Sequence, residues 1–175
     1  MAAGSPAGFT GGMQLRLAAL LLATLTSGLA AGAYALYAHT VMPGLKATDD
    51  RTFVAAFQAL DRAIINPWFM AGAFLGALVC SAAAVATQLG RDPLPWVLAA
   101  LVLTIIVTVI TMAVNVPLND ALKAAGDPAT IDVSQARADF HESRWVTWNL
   151  VRVAGSLAAF ACLAWALVLD GRTAD

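Results

Sequence analysis

Four stretches of this chain are each long and apolar enough to cross a lipid bilayer: Leu15–Tyr37, Pro67–Leu89, Pro95–Val114 and Trp145–Leu169. A span needs about 20 mostly apolar residues. In hydrocarbon every backbone N–H and C=O must be satisfied within the segment itself, which leaves helix as the economical solution. The sequence therefore predicts an all-α fold, a four-helix transmembrane bundle over residues 15–170. A disordered tail rich in Gly and Ala is expected over residues 1–14. The bulk numbers agree, with 60% hydrophobic and 12% charged residues. A net charge of −1 offers no basic footprint for nucleic acid. The first apolar run is longer than the h-region of a signal peptide and lacks a positive n-region, so it reads as a retained helix. Cys80 and Cys162 both fall inside apolar runs and read as small core or lipid-facing residues, with no disulfide expected.

The connections alternate in length. Gly90-Arg91-Asp92-Pro93-Leu94 is a tight turn between spans 2 and 3. The two long connections fall together at the other end. In the first, Thr48-Asp49-Asp50 precedes Phe53, Val54, Phe57, Leu60, Ala63 and Ile64. This pattern predicts an N-capped amphipathic helix lying at the interface between spans 1 and 2. In the second, Pro117 is expected to end or kink span 3. Two structured connections on one side predict a cap over one mouth of the bundle. The Arg and Lys distribution slightly favours both termini inside, in a bacterial plasma membrane.

Helical periodicity assigns inner faces. Span 1 offers Gly28, Gly32, Ala35 and His39; span 2 offers Gly72, Gly76 and Cys80; span 3 offers Thr104, Thr108, Thr111 and Asn115. In span 4, Trp145, Trp148, Asn149 and Arg152 fall within about one 100° stripe, with His141 one turn earlier. A guanidinium about two turns inside a membrane helix is costly and should face protein or water. Arg152 can act as a fastener, bonding carbonyls freed by Pro117 or pairing with a carboxylate such as Asp120. It can equally hold an anionic oxygen in a low-dielectric cavity. Asn66, Asn115, Asn119 and Asn149 each read as helix caps or interhelical bonds as readily as site groups. His39 and His141 are the two histidines, and they sit in unrelated motifs, so no metal site is expected. No P-loop or Gly-rich dinucleotide turn is present.

Four short motifs carry a resemblance: Met42-Pro43-Gly44-Leu45, Asn66-Pro67, Asn115-Val116-Pro117-Leu118-Asn119 and Trp145-x-x-Trp148-Asn149-x-x-Arg152. Their order and spacing over residues 15–170 resemble the anthrone oxygenase family, also catalogued as the DUF1772 integral membrane proteins. The resemblance implies oxidation of a lipophilic, anthrone-like aromatic by O2 without a cofactor, within the lipid bilayer. An anthrone is acidic at its CH2, and its anion reacts directly with O2, so a base, an oxyanion clamp and a dry slot suffice. On this reading His39 or His141 is the base and Arg152, with Asn115 or Asn149, the clamp. Asn66, Trp145, Trp148 and His141 would then touch the substrate. Two other classes stay open: a binding or transport protein using the same cavity, and a non-catalytic membrane assembly subunit. Self-association into a homo-oligomer is left open as well.

Overall fold

A computed structural model describes residues 6–172, which contain six helices and no strand. Four are long and apolar enough to span a membrane: α1 (Gly11–Lys46), α3 (Pro67–Thr87), α4 (Leu94–Ala124) and α6 (Glu142–Arg172). The chain is an integral membrane protein. Two shorter helices, α2 (Asp50–Ile64) and α5 (Val133–Asp139), lie in the long connections. The first helix is described from Pro6, ahead of the span that begins at Gly11, so residues 6–14, expected as part of a tail, are helical. Residues 1–5 of the expected tail lie outside the described residues.

The spans alternate in direction and form a closed ring. α1 packs on α3 and α6, and α6 packs on α4. α3 and α4 meet along Leu75–Thr87 and Leu94–Ile110 and only sparsely beyond, so they part toward the cap. The α3–α4 turn is tight because Gly90 takes φ +72°, a left-handed conformation that glycine adopts without steric cost. At this turn end the core is built of small residues, Ala23, Ala84, Ala100, Ala159 and Ala166, with Leu20, Val97 and Leu163 between them. Small side chains let the helix axes approach closely. The inner face of α1 is Ala23, Ser27, Ala30, Ala31 and Tyr34, offset from the expected Gly28–Gly32 stripe. Gly28 sits beside Phe160 and Gly32 faces outward. The Thr104–Thr111–Asn115 face of α4 points inward as expected.

The cap is held by aromatic packing and by side chains that satisfy helix ends. Phe53 and Phe57 of α2 pack at a tilt against Phe140, with Phe57 and Phe140 centroids 4.6 Å apart. Asp49 caps α2 by accepting from the Thr52 N–H at 3.0 Å and the Thr52 hydroxyl at 2.7 Å. These bonds to the ionised form hold its carboxyl below the usual carboxylate range. Asp132 caps α5 in the same way. Arg137 of α5 donates to the Thr48 carbonyl at 3.1 Å and to Asp50 at 3.0 Å, with its guanidinium 4.2 Å from the Phe53 ring centroid. Gln58, fully inside, donates to the Leu122 and Gly126 carbonyls at 2.8 and 3.1 Å and fastens α2 to the end of α4.

Three spans contain one widened turn each, with backbone bonds reaching five residues back: Tyr37–Val41 in α1, Met70–Phe74 in α3 and Thr111–Asn115 in α4. Two of them explain why prolines do not end the helices. A proline ring collides with the carbonyl four residues earlier. For Pro43 and Pro117 that carbonyl, on His39 and Ala113, lies inside the widened turn, where the backbone has room. So α4 passes through Pro117 and runs on to Ala124, not ending at Val114 as expected. Wide turns of this kind concentrate at functional sites. Here all three lie in the cap half of the bundle.

Candidate functional site

Below the cap, where α3 and α4 part, lies an apolar cavity of about 260 Å³. Tyr34 and Tyr37 line it from α1, Phe57 and Asp61 from α2, Phe69 and Phe74 from α3, Thr111 and Asn119 from α4, and Trp145 and Arg152 from α6. It is open on one side. Ile65 and Met112, 61% and 56% exposed on the outer surface of the bundle, belong to its lining there. The lining also includes Lys123 and the exposed Asp120, so the cavity reaches the surface of the bundle at an edge that is apolar on one side and charged on the other.

Arg152 is only 5% exposed and has no carboxylate partner among the described residues. Its Nη2 donates to Asn149 Oδ1 at 2.8 Å and its Nη1 to Thr111 Oγ1 at 3.4 Å. Nε has no hydrogen-bond partner. The guanidinium lies 4.5 Å from the Tyr34 ring centroid and 5.5 Å from that of Trp145. Ring faces stabilise a cation without neutralising it. Neither fastening role expected from the sequence, with Asp120 or with carbonyls near Pro117, is present.

Asn149 and Asn115 position this centre from behind. Asn149 is fully buried, and its Nδ2 donates to the Tyr34 carbonyl at 3.0 Å while Oδ1 accepts from Arg152. It thereby ties α6 to α1 and aims the guanidinium. Asn115, 1% exposed, donates to the Trp145 carbonyl at 3.2 Å, and its Oδ1 has no partner. Trp145 is buried, edge-on to Phe57 at 5.7 Å, and its indole N–H donates to Asn119 Oδ1 at 2.7 Å.

The remaining expected residues stand apart from the cavity. His39 is exposed, with Nδ1 2.6 Å from the Thr40 hydroxyl. His141 is exposed in a left-handed turn at φ +52°. Asn66 caps α3, accepting from the Phe69 N–H at 2.9 Å and donating to the Ala63 carbonyl. Trp148 is 36% exposed on the outer face of α6. It lies at the opposite edge of the stripe from Asn149, and the packing of α6 turns the Asn149 edge inward.

Sequence reasoning missed Tyr34 and Asp61. Asp61 is only 7% exposed. Its Oδ1 accepts from Asn119 Nδ2 at 2.6 Å, and Lys123 Nζ lies 2.7 Å from Oδ2 and 3.0 Å from Asp120. A signal was present: Asp61 follows Phe53 and Phe57 at four-residue steps, so it sits on the apolar face of α2.

A buried cation without a carboxylate partner among the described residues, on the wall of an apolar, aromatic-lined cavity within four membrane-spanning helices, defines a class: an integral membrane protein with a charged internal cavity. Within that class the chain belongs to the anthrone oxygenase family, whose model matches residues 57–162, more than half of its length. No curated protein sequence and no solved structure gives a significant match.

Proposed function

We infer that this protein is a membrane-embedded oxygenase of lipophilic, anthrone-like aromatics, and that Arg152 is the clamp for the substrate anion. The observation that carries this reading is the guanidinium itself. Burying a charge in an apolar bundle without a counter-ion is expensive. Two aromatic faces and two neutral acceptors offset part of that cost and leave Nε–H unengaged. An incoming phenolate or enolate oxygen completes the charge balance in a site too dry to screen it.

The chemistry closes without a further reagent. Loss of a proton from the CH2 of an anthrone gives an anion whose charge rests on the former carbonyl oxygen, now a phenolate, where Arg152 holds it. The carbanion-like carbon donates electrons to O2 and forms a C–O bond, and protonation gives a hydroperoxide at that carbon. Loss of water across the C–H and O–O bonds leaves the quinone carbonyl. One O2 is consumed, one oxygen atom stays in the product and the other leaves as water. Trp145, Tyr34 and Phe57 supply flat walls for a fused-ring substrate, which enters from the bilayer past Ile65 and Met112.

The test is O2-dependent quinone formation from a panel of anthrones by purified protein, compared with Arg152→Gln, alongside thermal unfolding of both. The clamp reading expects turnover in the wild type, its loss in the variant, and unchanged or raised stability, because the variant no longer buries an uncompensated charge. No wild-type turnover, together with a large stability loss in Arg152→Gln, would overturn it in favour of a structural cation.

A further inference from the structure

Two carboxylates line the cavity, Asp61 and Asp120, and only Asp61 is buried, at 7% exposure against a 61% exposed Asp120 side chain; no histidine lines it. We propose that Asp61 is the base that takes the substrate's CH2 proton, a proposal that rests on the anthrone-type reading of the same cavity.

Three observations carry it. The first is placement. Asp61 and Arg152 both line the cavity, and Trp145 lies between them. The indole N–H meets Asn119, which holds Asp61, while the indole face meets Arg152. In an anthrone the acidic CH2 and the oxygen that receives the charge lie at opposite ends of the central ring. A base and a clamp at the two ends of one flat wall match that layout.

The second observation is orientation. Asn119 donates from Nδ2 to Asp61 and accepts at Oδ1 from Trp145. Both ends of the amide are used, so the carboxylate and the indole are fixed relative to each other. The third is a route outward. Lys123 lies between Asp61 and Asp120, and the Asp120 side chain is 61% exposed. When Asp61 takes the proton and loses its charge, Lys123 keeps Asp120 as a partner. The proton can then pass to water at this edge of the cavity. The step is balanced: a C–H bond breaks, its electron pair stays on the substrate, and an O–H bond forms on Asp61.

Proton abstraction can be read without oxygenation. Under strictly anaerobic D2O, exchange of the CH2 protons of anthrone is followed by NMR in the presence of purified full-length protein. Wild type is expected to accelerate exchange above the buffer rate, and Asp61→Asn to lose about 100-fold or more of that acceleration. Asp61→Glu should recover part of it. Gln58→Leu removes the two bonds that fasten α2 to the end of α4, from a side chain that does not line the cavity. Normalised to folded protein, it should exchange like wild type. Wild-type-like exchange in Asp61→Asn would overturn the proposal. So would an equal loss in Gln58→Leu, or a wild type that accelerates nothing. Admitting O2 afterwards separates the two ideas. Exchange that depends on Asp61 without quinone formation supports the base and sinks the oxygenase reading. Quinone formation that is indifferent to Asp61→Asn does the reverse.

Discussion

Two buried charges, Asp170 at one end of this bundle and Arg152 at the other, are held in opposite ways. At the turn end, Asp170 of α6 is 7% exposed, with Gln88 Nε2 donating to it at 3.2 Å and Arg91 Nε 3.7 Å away. The charge is answered by protein groups, and the surrounding alanine-rich core is closed. At the cap end, Arg152 is as buried but is answered only by neutral groups, beside open space. The chain can evidently pair a buried charge when structure requires it. At Arg152 it does not, and the proposed function turns on that difference.

The sharpest way to break this comparison is to remove each charge in turn. Arg152→Gln should lower quinone formation by about 100–1,000-fold, the range for losing one oxyanion donor, with folding preserved. Asp170→Leu should do the opposite. Its loss leaves Gln88 and Arg91 short of a buried partner and should lower unfolding stability by about 1–3 kcal/mol, with turnover per folded molecule unchanged. If both variants lose stability and neither loses turnover, the two ends are alike and the contrast fails.

A second probe acts on the backbone at the cap end. A Cβ at Gly76 would collide with the carbonyl oxygen of Ala71, which the widened turn Met70–Phe74 brings against it. Gly76→Ala should cost about 1–3 kcal/mol, as overpacking does. Thermal unfolding checks this, and Gly72→Ala, with nothing near its added Cβ, is the control. The smallest effect concerns pH. The carboxyl of Asp49 is lowered by its bonds to Thr52, so it stabilises the cap above its unfolded pKa, near 3.8, and that contribution is lost as pH falls through the folded value. Asp49→Asn should therefore flatten the acid limb of cap unfolding below about pH 4 and weaken the cap slightly at neutrality, where the charge-dependent contribution is lost although Asn still caps the helix. Hydrogen exchange of α2 amides reads this directly.

What was legible in the sequence followed from period and length. Apolar runs of bilayer length marked the four spans, and one capped amphipathic run marked α2. The 3.6-residue stripe of α6 placed Arg152, Asn149 and Trp145 together, and the Thr104–Asn115 stripe placed Asn115 and Thr111 against them. The errors lie in the phase of a stripe more than in its period. Counted through Gly28 and Gly32, His39 falls on an inner face of α1, but the buried face is Ala23, Ser27, Ala30 and Tyr34; Gly32 already faces outward in regular helix, and His39, two turns on, is exposed with it. Trp148 sat at the edge of its stripe, where a small rotation of the helix decides between cavity and lipid. Asp61 was hidden by its own element. A carboxylate on an amphipathic helix reads as solvated until its register with Phe53 and Phe57 is counted.

The widened turns also decide where the chain can change length. Each is equivalent to a single extra residue absorbed within a continuous helix, with the segments on either side kept in nearly the same rotation. A one-residue deletion in the regular part of α4, Leu94–Ile110, would swing everything beyond it by about 100° around the axis and carry Asn119 and Lys123 away from Asp61. The same deletion inside Thr111–Asn115 would let the helix close up with that alignment kept, but it would force Pro117 against an ordinary turn. Pro43 sets the same limit after Tyr37–Val41. Met70–Phe74 has no proline beyond it in α3, so it should be the place in the spans where loss of one residue is best tolerated, in a segment that by composition alone looks like any other stretch of membrane helix.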